Sequence, residues 1–347
     1  MCTRKLPART KAKFAAGKSA GAIRFKALIP AAGEGRRLRP HTHATPKVLL
    51  EVAGKPIIGH IMDRLLPARP EEVVVVVGVQ GGKIKSYLET SYRTRFRFVE
   101  QDDPKGLGDA VYRGRDYFGH EPILIVLGDT IVDLNMTEMV GHENLIGVKE
   151  VEDPRRFGIV ELDGDTVKQA VEKPKHPTSN LAIVGLYYFT DACVLFDSLR
   201  ELIQTGQRTR DEFQLTDALR LMLKAGTVMR AKRIDRWLDC GTPDALLATN
   251  RYLLARQGHY RQREGVVFVP PVWVHDDASI RNSVIGPNVS VGSDAEIHDS
   301  IIRDSIVNRN AQVEWALLER SILGEESTVR GTPRRLNLGG FSELEVI

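Results

Sequence analysis

The sequence predicts two folded units: an α/β domain built on a doubly wound, mostly parallel sheet, and a C-terminal β-helix. From Phe25 to about Arg256, short apolar strands alternate with amphipathic helices, which is the rhythm of βαβ units. After Gly265, one apolar residue returns every five or six positions. That spacing fits neither a helix nor an alternating strand, and it is typical of stacked β-helix coils.

The α/β elements follow one another in a regular order. The predicted strands are 27–30, 73–77, 96–99 and 123–127. The first predicted helix begins at Pro56, and two further helices are predicted at 83–88 and 108–117. In such sheets ligands bind beyond the carboxyl ends of the strands. The glycine-rich turn at 31–35 and Asp129 both follow a strand, so we expect them to face one cleft.

The apolar series after Gly265 predicts about three coils, if three repeats make one coil. Its steps are five or six residues and span 55 positions. The members are Val274, Ile280, Ile285, Val291, Ile297, Ile302, Val307, Val313, Leu318, Leu323 and Val329. Leu338 and Leu344 extend the series beyond an irregular stretch.

The charge of the chain is uneven along its length. The net charge is +4, but residues 1–26 carry eight basic groups and the first acidic residue is Glu34. Without that stretch the chain has 41 basic and 45 acidic side chains, a net −4. The basicity therefore belongs to a leader, and nucleic acid is not expected as the main partner. We expect a dispensable, disordered leader at 1–24, a catalytic domain at 25–262 and a β-helix domain at 265–347.

Composition excludes several classes of protein. The chain is 42% hydrophobic and 27% charged, as in ordinary soluble proteins, and no apolar run approaches the ~18 residues of a membrane helix. Cys2, Cys193 and Cys240 share no disulfide or metal-site spacing. The leader lacks the apolar centre of a secretory signal. We therefore expect a cytoplasmic protein that does not act at a membrane.

A glycine turn rich in cations follows the first strand. Residues 33–40 read GEGRRLRP and lead to Thr42 and Lys47. Leu38 stands where a dinucleotide fingerprint needs its third glycine, and Ala12 stands where an NTPase phosphate loop ending at 17–19 needs its first. What remains is a turn whose backbone N–H groups and cations suit an anion, with a solvated basic loop as the alternative.

Residues 31–47 resemble the signature of the sugar-1-phosphate nucleotidyltransferases, GxGTRLxP followed by a threonine and then PK. The resemblance runs from about Lys26 to the C-terminus. It implies a Rossmann-like nucleotidyltransferase fold followed by a left-handed β-helix of hexapeptide-type repeats. It also implies that Arg37 and Lys47 act on the nucleotide phosphates. The nucleotide-binding backbone would include Ala32, Gly33 and Gly35. Two positions depart from the pattern, where Arg36 replaces a threonine and His41 a leucine.

Three further segments resemble nucleotide- and metal-binding motifs of that family. Gln101 would hydrogen-bond a pyrimidine edge, and Gly106 would let the base approach the backbone. Asp129, in the motif LGD, would contact the nucleotide and share a Mg²⁺ with Asp239, in the motif WLDCGT at 237–242. Taken singly, these residues are also compatible with a polar loop or with turn and helix caps.

The sugar side of the resemblance rests on three more segments. Gly158 and Asn180 would line the sugar site, Glu172 would accept hydroxyl hydrogen bonds, and Lys173 would act on the 1-phosphate. Without the resemblance, Glu172 and Lys173 are a charge pair before a proline. Residues 179–188 resemble the thymidylyltransferase segment that closes over the sugar. Guanylyltransferases usually carry Asn-Ala-Gly there, which this sequence lacks.

The combined features resemble long-form glucose-1-phosphate thymidylyltransferases, which implies dTTP and glucose 1-phosphate as substrates, Mg²⁺ as cofactor and a homo-oligomer. UTP is the alternative nucleotide, and mannose-1-phosphate guanylyltransfer is a further alternative. An additional acyltransferase is disfavoured because the 82 residues after Gly265 include only two histidines, His275 and His298. A non-catalytic regulatory relative is disfavoured because the phosphate and metal residues are present.

Overall fold

The computed structural model describes residues 23–331. Most of the leader expected at 1–24, Cys2, and the extension expected around Leu338 and Leu344 lie outside the described residues. None of the helices formed by residues 23–331 is long and apolar enough to cross a membrane.

Strands and helices alternate through the first unit, as the sequence predicts. The strands are β1 (Lys26–Ala31), β2 (Glu51–Val52), β3 (Lys55–Pro56), β4 (Val73–Val77), β5 (Phe96–Glu100), β6 (Ile123–Val126), β7 (Thr130–Val132), β8 (Leu145–Glu150), β9 (Gly158–Asp163), β10 (Thr166–Glu172), β11 (Leu181–Phe189), β12 (Arg230–Arg233) and β13 (Trp237–Asp239). The helices are α1 (Ile57–Leu65), α2 (Gly81–Ser91), α3 (Leu107–Arg113), α4 (Ala192–Gln204), α5 (Leu215–Lys224) and α6 (Pro243–Gln257).

One nine-stranded sheet organises this unit, in the order β5-β4-β1-β6-β11-β8-β12-β10-β9. The first four strands in that order are mutually parallel. Seven of the nine strands run in one direction, as predicted, and β10 and β11 run against them. Because these two lie within the second half of the sheet, the pairings there are mixed. Every residue of the all-valine strand β4 is buried, because apolar clusters cover both faces of the sheet.

The predicted helix at 108–117 is shorter than expected. Helix α3 ends at Arg113, and a separate 3₁₀ turn covers Arg115–Tyr117. Gly114 lies between them, and a Cβ there would come within 2.6 Å of the Leu28 side chain in β1. The helix is interrupted where its backbone packs directly on the sheet.

The topology brings the ends of β1 and β6 together. A Cβ on Gly128 would lie 2.7 Å from the Pro30 carbonyl oxygen, so the two strand ends are in contact. Strand β13 then pairs with β7 and sets Asp239 opposite Thr130. The Cys240 N–H donates to the Asp129 carbonyl oxygen at 3.1 Å. The glycine turn, Asp129 and Asp239 therefore meet at one edge.

The second unit is a β-helix of three parallel four-stranded sheets. Its strands are β14 (Val266–Phe268), β15 (Val272–Val274), β16 (Ser279–Arg281), β17 (Ser283–Ile285), β18 (Val289–Val291), β19 (Glu296–His298), β20 (Ile301–Arg303), β21 (Ile306–Val307), β22 (Gln312–Glu314), β23 (Leu317–Glu319), β24 (Ile322–Leu323) and β25 (Thr328–Arg330). All members of the predicted apolar series belong to its core or pack against it. Up to Arg330 there are four coils rather than about three, because the first coil begins at β14, before the series starts.

Residues in the left-handed backbone conformation lie at the corners between the strands of the β-helix, and they recur at the same spacing as the apolar series. Nine non-glycine residues with positive φ mark the corners between Arg281 and Ser327, spaced five or six apart like the apolar series. Asparagine and aspartate hold most of the earlier corners, since their short polar side chains tolerate this conformation. These nine residues are Asn282, Asn288, Asp294, Asp299, Asp304, Asn310, Trp315, Arg320 and Glu326.

One face of the β-helix packs against the α/β unit. Trp273 covers the turn between β2 and β3, where a Cβ on Gly54 would lie 2.1 Å from the indole ring. Only glycine fits at this turn. Asn250 of α6 completes the junction: its Oδ1 accepts from the Ala53 N–H at 2.8 Å and its Nδ2 donates to the Asn288 carbonyl at 3.2 Å.

Candidate functional site

The loop from Gly33 to Lys47 folds back on itself. Gly35 has φ 64°, and a Cβ there would lie 2.9 Å from the Thr42 side chain and 3.0 Å from Lys47 Cβ. The Thr42 hydroxyl donates to the Gly35 carbonyl at 2.9 Å. A side chain at Gly35 would be strained and crowded, so glycine is what lets Lys47 lie beneath the turn.

A cavity of about 460 Å³ opens at this edge of the sheet. Its lining brings together all of the residues predicted to contact the nucleotide. These are Ala32, Gly33, Gly35, Arg37, Lys47, Gln101, Gly106 and Asp129. Gly241, two residues after Asp239, also lines it.

Charged groups of both signs converge at the floor of the cavity. Lys47 forms an ion pair with Asp129, and its side chain is only 10% exposed. A Cβ on Gly241 would lie 3.0 Å from Asp239 Oδ1 and 3.2 Å from Arg37 Nη2, so that carboxylate and that guanidinium meet around this glycine.

Asp239 is in an unfavourable environment for a carboxylate. Burial raises its pKa first, and the negative charge of Asp129 raises it further, while Lys47, Arg37 and Arg156 oppose the rise. Two carboxylates close enough to repel each other are a fitting donor set for Mg²⁺, which prefers carboxylate oxygens. The chemistry of the donors and their mutual repulsion therefore fit a divalent cation. Arg156 was not among the predicted residues.

The remaining cations of the loop lie at its rim. Arg36 donates to Glu34 at 2.7 Å, and Arg39 lies 3.7 Å from the same carboxylate. The hydrogen bond from Arg36 lowers the pKa of Glu34. Thus Glu34 holds two of the loop's cations at the surface, while Arg37 and Lys47 face the two aspartates.

Gln101 is buried, and its orientation is fixed by a residue that the sequence analysis missed. Its Nε2 donates to Asp109 Oδ2 at 2.7 Å. An ionised carboxylate only accepts hydrogen bonds, and Nε2 also donates to the Gly106 carbonyl oxygen at 3.5 Å. The Gln101 carbonyl oxygen is therefore the atom left for a ligand. Asp109 lies in the first turn of α3, eight residues after Gln101. This position near the start of a helix is the only feature of the sequence that could have indicated the contact.

Gly106 has a structural requirement in addition to the expected approach of the base. It has φ 111°, and a Cβ there would lie 2.7 Å from the Phe213 carbonyl oxygen. The Phe213 N–H also donates to the Lys105 carbonyl at 2.8 Å, and the Gly108 N–H to the Phe213 carbonyl at 2.7 Å. The segment around Phe213 thus forms a wall of the cavity through Glu212, which the sequence analysis did not assign.

Most of the predicted sugar-side residues form a second cluster. Glu172 is 8% exposed; its Oε1 lies 3.1 Å from Lys173 Nζ, and its Oε2 accepts from the Thr216 hydroxyl at 2.7 Å. Gly158 lies opposite Glu172 in the β9–β10 register, and a Cβ there would lie 2.7 Å from Thr216 Oγ1. Only a glycine leaves room for this hydrogen bond.

Asn180 is not brought into this cluster. It is exposed just before β11, and its carbonyl oxygen accepts from the Val151 N–H at 3.0 Å. Ala182 pairs with Ile159 in antiparallel register, so Asn180 lies toward Glu161 and away from Gly158.

Two contacts connect the sugar-side cluster with the cavity. Phe157 packs edge-on against Trp237, with ring centroids 4.9 Å apart, and Trp237 belongs to the strand that carries Asp239. Arg210 donates to the Lys173 carbonyl at 2.9 Å, two residues before the cavity-lining Glu212. The cluster therefore flanks the cavity rather than lining it.

Comparisons with known proteins agree with this geometry. Residues 26–256 match the nucleotidyl transferase family model, and residues 260–342 match the GlmU-like C-terminal hexapeptide model. A glucose-1-phosphate thymidylyltransferase of Streptomyces antibioticus is 31% identical over 89% of this chain and 90% of its own length. The UTP–glucose-1-phosphate uridylyltransferase AglF of Haloferax volcanii is 34% identical over 63% of this chain and 93% of its own length.

A solved structure shares the fold of the first unit. UDP-glucose pyrophosphorylase complexed with UDP-glucose matches with a TM-score of 0.60 and 26% identity, over 68% of this chain and 100% of that chain. With the family model covering more than half of the sequence, the chain belongs to the sugar-1-phosphate nucleotidyltransferases and carries a hexapeptide β-helix after its catalytic domain.

Proposed function

We propose that the protein transfers a thymidylyl group from dTTP to glucose 1-phosphate, giving dTDP-glucose and pyrophosphate. The observation that carries the choice of base is the orientation of Gln101. With its amide nitrogen engaged by Asp109, its carbonyl oxygen suits a ring N–H donor. Thymine, uracil and guanine all carry such an N–H, whereas cytosine and adenine present an acceptor at the corresponding ring nitrogen, so this contact disfavours CTP and ATP. The relatives named above support thymine or uracil over guanine.

The preference for dTTP over UTP rests on a smaller difference in binding free energy. The two bases differ by a single methyl group, which contributes about 1–3 kcal/mol of binding free energy in a pocket. The thymidylyltransferase relative is similar along both units, including the β-helix, and this supports dTTP. The uridylyltransferase relative supports UTP as the second candidate.

The reaction needs charge neutralisation and alignment more than proton transfer. The second pKa of a phosphate monoester is about 6, so the attacking oxygen of a sugar 1-phosphate is already ionised at pH 7. We assign Lys47 and Arg37 to the nucleotide phosphates and Lys173 to the sugar phosphate. Their positive charges lower the repulsion between the two polyanions and hold them in line. Mg²⁺, held by Asp129 and Asp239, would add further neutralisation at the phosphates.

The test is a pyrophosphate-release assay that crosses dTTP, UTP, GTP, CTP and ATP with the 1-phosphates of glucose, galactose, mannose and N-acetylglucosamine. We expect the highest kcat/KM with dTTP and glucose 1-phosphate, UTP second, and little turnover with CTP or ATP. A clear preference for GTP with mannose 1-phosphate would overturn the specificity proposed here.

The same assay tests the assigned residues. Losing one preorganised electrostatic contact typically costs about 10²–10³ in rate. Lys47→Ala or Asp129→Asn should therefore lower turnover by at least about 10². Lys175→Ala, at an exposed lysine two residues beyond Lys173, is the control and should leave turnover unchanged. Near-normal turnover in either site variant contradicts the assignment.

A further inference from the structure

A group of three potential metal ligands lies outside the nucleotide cavity. One ring nitrogen of His120, one carboxylate oxygen of Asp191 and the Cys193 Sγ all lie within 4.8 Å of one another. Among residues 23–331, no other group of three or more His, Cys, Asp and Glu side chains brings its ligand atoms this close together. We call these three residues the His–Asp–Cys cluster.

The antiparallel pairing of β6 and β11 places the cluster. Phe189, at the end of β11, lies opposite Ile123, at the start of β6. His120 precedes Ile123 by three residues and Asp191 follows Phe189 by two, so both leave the sheet at the same edge. No local spacing in the sequence joins them. This edge is the amino end of β6, whereas the Asp129 of the nucleotide cavity follows the carboxyl end of the same strand.

The two carboxylate oxygens of Asp191 have separate roles. Its Oδ1 accepts from the Cys193 N–H at 2.9 Å and caps helix α4. Its Oδ2 lies 2.9 Å from His120 Nδ1. Because the cap uses only one oxygen, the other can bind a metal ion without disturbing the start of the helix.

The loop that carries the histidine of the cluster is held against α4 on both sides. The Ala192 N–H donates to the Glu121 carbonyl oxygen at 3.2 Å, and the Gly119 N–H donates to Glu121 Oε2 at 2.9 Å. Phe118 packs against Phe196 of α4, with ring centroids 5.5 Å apart. The three ligands are therefore held near one another before any ion binds.

The surroundings of the thiol carry an excess of negative charge. Burial raises the pKa of the Cys193 thiol first, and three nearby carboxylates raise it further, whereas one arginine opposes the rise. The carboxylates belong to Asp191, Asp197 and Glu121, and the arginine is Arg200. A divalent cation reverses this preference for the neutral thiol, because its charge stabilises the thiolate and the carboxylate together.

The donor set fits Zn²⁺ rather than Mg²⁺. Imidazole nitrogen and thiolate sulfur are ligands that zinc prefers, whereas magnesium prefers oxygen. Zinc bond lengths place tetrahedral N, O and S ligands about 3.3–3.6 Å apart. The distance between His120 Nδ1 and Asp191 Oδ2 would have to widen by only about 0.4–0.5 Å to reach that geometry.

We propose that the His–Asp–Cys cluster binds one Zn²⁺ ion through His120 Nδ1, Asp191 Oδ2 and Cys193 Sγ. Water takes the fourth tetrahedral position. The Zn–S bond forms as the thiol loses its proton to solvent, and no electron is transferred. The ion cross-links the loop before β6 to the start of α4. This proposal does not depend on the transferase activity proposed above.

Titration with Co²⁺, which absorbs light where Zn²⁺ does not, tests the donor set. A Cys2→Ser chain excludes the cysteine outside the described residues, and excess Mg²⁺ competes for the carboxylates of the nucleotide cavity. We expect a thiolate-to-cobalt charge-transfer band that saturates at one ion per chain and disappears when Zn²⁺ is added. Cys240 should not contribute, because its side chain is fully buried and its pKa is raised to about 12. Absence of the band would overturn the proposal.

Substitutions distinguish a three-ligand site from a single thiol. Cys193→Ser should abolish the band. His120→Ala and Asp191→Asn should weaken Co²⁺ binding by at least about tenfold, since even the outer partners of metal ligands contribute about 10–100-fold. Asparagine keeps an oxygen that can cap the helix. His142→Ala, at another exposed histidine, is the matched control and should bind as the parent chain does. Unchanged binding in both His120→Ala and Asp191→Asn would refute the three-ligand site.

Thermal unfolding provides a second readout. Saturating Zn²⁺ should raise the unfolding temperature of the Cys2→Ser chain by at least about 2 °C, and should not raise that of the same chain carrying Cys193→Ser. An equal rise in both chains would place the ion elsewhere and overturn the proposal. Pyrophosphate release with Mg²⁺ should be the same in all these variants, because the cluster and the nucleotide cavity lie at opposite ends of β6. If the unmodified chain releases no pyrophosphate, the proposed function fails, and the zinc site is judged by the cobalt band alone.

Discussion

At the scale of single residues, Asp239 connects the electrostatics of the site with the stability of the fold. Its pKa is raised by burial and by the charge of Asp129, so the native state favours its protonated form. Above that raised pKa the carboxylate is ionised and the native state is penalised relative to the unfolded chain. The ionised Asp239 therefore lowers the free energy of unfolding at neutral pH, because its charge is held near that of Asp129.

Asp239→Asn should raise the unfolding temperature of the metal-free protein at pH 7, because the amide removes the buried charge. We expect a rise of a few degrees, since 1 kcal/mol corresponds to roughly 2–4 °C in a domain of this size. The difference should shrink as the pH falls toward the ordinary aspartate pKa of 3.8, where the wild-type side chain is neutral as well. The measurement is calorimetry between pH 4 and pH 7.

Mg²⁺ provides the second half of the test. It should raise the unfolding temperature of the wild type and have little effect on Asp239→Asn. Asp235→Asn, at an exposed aspartate four positions earlier, is the control and should behave as the wild type. An equal response to Mg²⁺ in both aspartate variants would show that Asp239 holds no metal.

The residue types in the motifs predicted most of the side chains that converge at the site. They did not predict all of the contacts that hold these residues in place. The glycine turn and Asp129 meet as expected, because β1 and β6 are neighbours in the sheet. The pairing of β13 with β7 then adds Asp239. Gly106 also packs against the backbone of Phe213, far along the chain, and no local pattern contains that contact. Asn180 lies apart from Glu172 because the register between β9 and β11 is not readable from one sequence.

At the scale of elements, the segment from Arg210 to Phe213 links the two halves of the site. Arg210 holds the Lys173 carbonyl, and Phe213 pairs with the loop that begins α3. Lys173 itself has φ 41°, a conformation that a non-glycine residue holds only when its surroundings fix it. We infer that this segment positions Lys173 relative to the nucleotide cavity.

Arg210→Ala should raise KM for the sugar 1-phosphate about two- to tenfold, since one hydrogen bond contributes about 0.5–1.5 kcal/mol. KM for the nucleotide should not change, because Gln101 and the glycine turn are untouched. Steady-state kinetics with each substrate varied in turn provide the measurement. Arg200→Ala, at an exposed position of α4, should leave both KM values unchanged. Parallel increases in both KM values for Arg210→Ala would argue against a selective positioning role.

At the scale of the whole molecule, helix α6 joins the catalytic domain to the β-helix through Asn250. This side chain is fully buried and hydrogen-bonds the backbone of both units. Removing it leaves the buried Ala53 N–H and the half-buried Asn288 carbonyl without their partner. An unmet buried group costs about 1–3 kcal/mol.

Asn250→Ala should therefore lower the free energy of unfolding by at least about 1–3 kcal/mol, measured by urea denaturation. Gln257→Ala, at an exposed position of the same helix, should change it by less than about 0.5 kcal/mol. An Asn250→Ala effect as small as that of the control would mean that the junction does not depend on this side chain.

The overall architecture was more predictable than the arrangement of its parts. Both the βαβ rhythm and the five-to-six-residue period are local patterns, and each gave the correct class of fold. The predicted number of coils was wrong because Val266 and Phe268 precede the regular series although they begin the first coil. The packing of Trp273 on Gly54 joins residues 219 positions apart, and no periodicity carries that information.

The coil length of the β-helix has a consequence for how this part of the chain can change in evolution. Residues paired in register along β14, β17, β20 and β23 are 17, 17 and 16 positions apart, from Val267 to Val284, Ile301 and Leu317. Gaining or losing one whole coil would keep each surface on its own side. Gaining or losing a single five- or six-residue repeat would turn everything after it by a third of a revolution and present a different surface to the catalytic domain. Viable length variants of this region should therefore come in steps of a full coil.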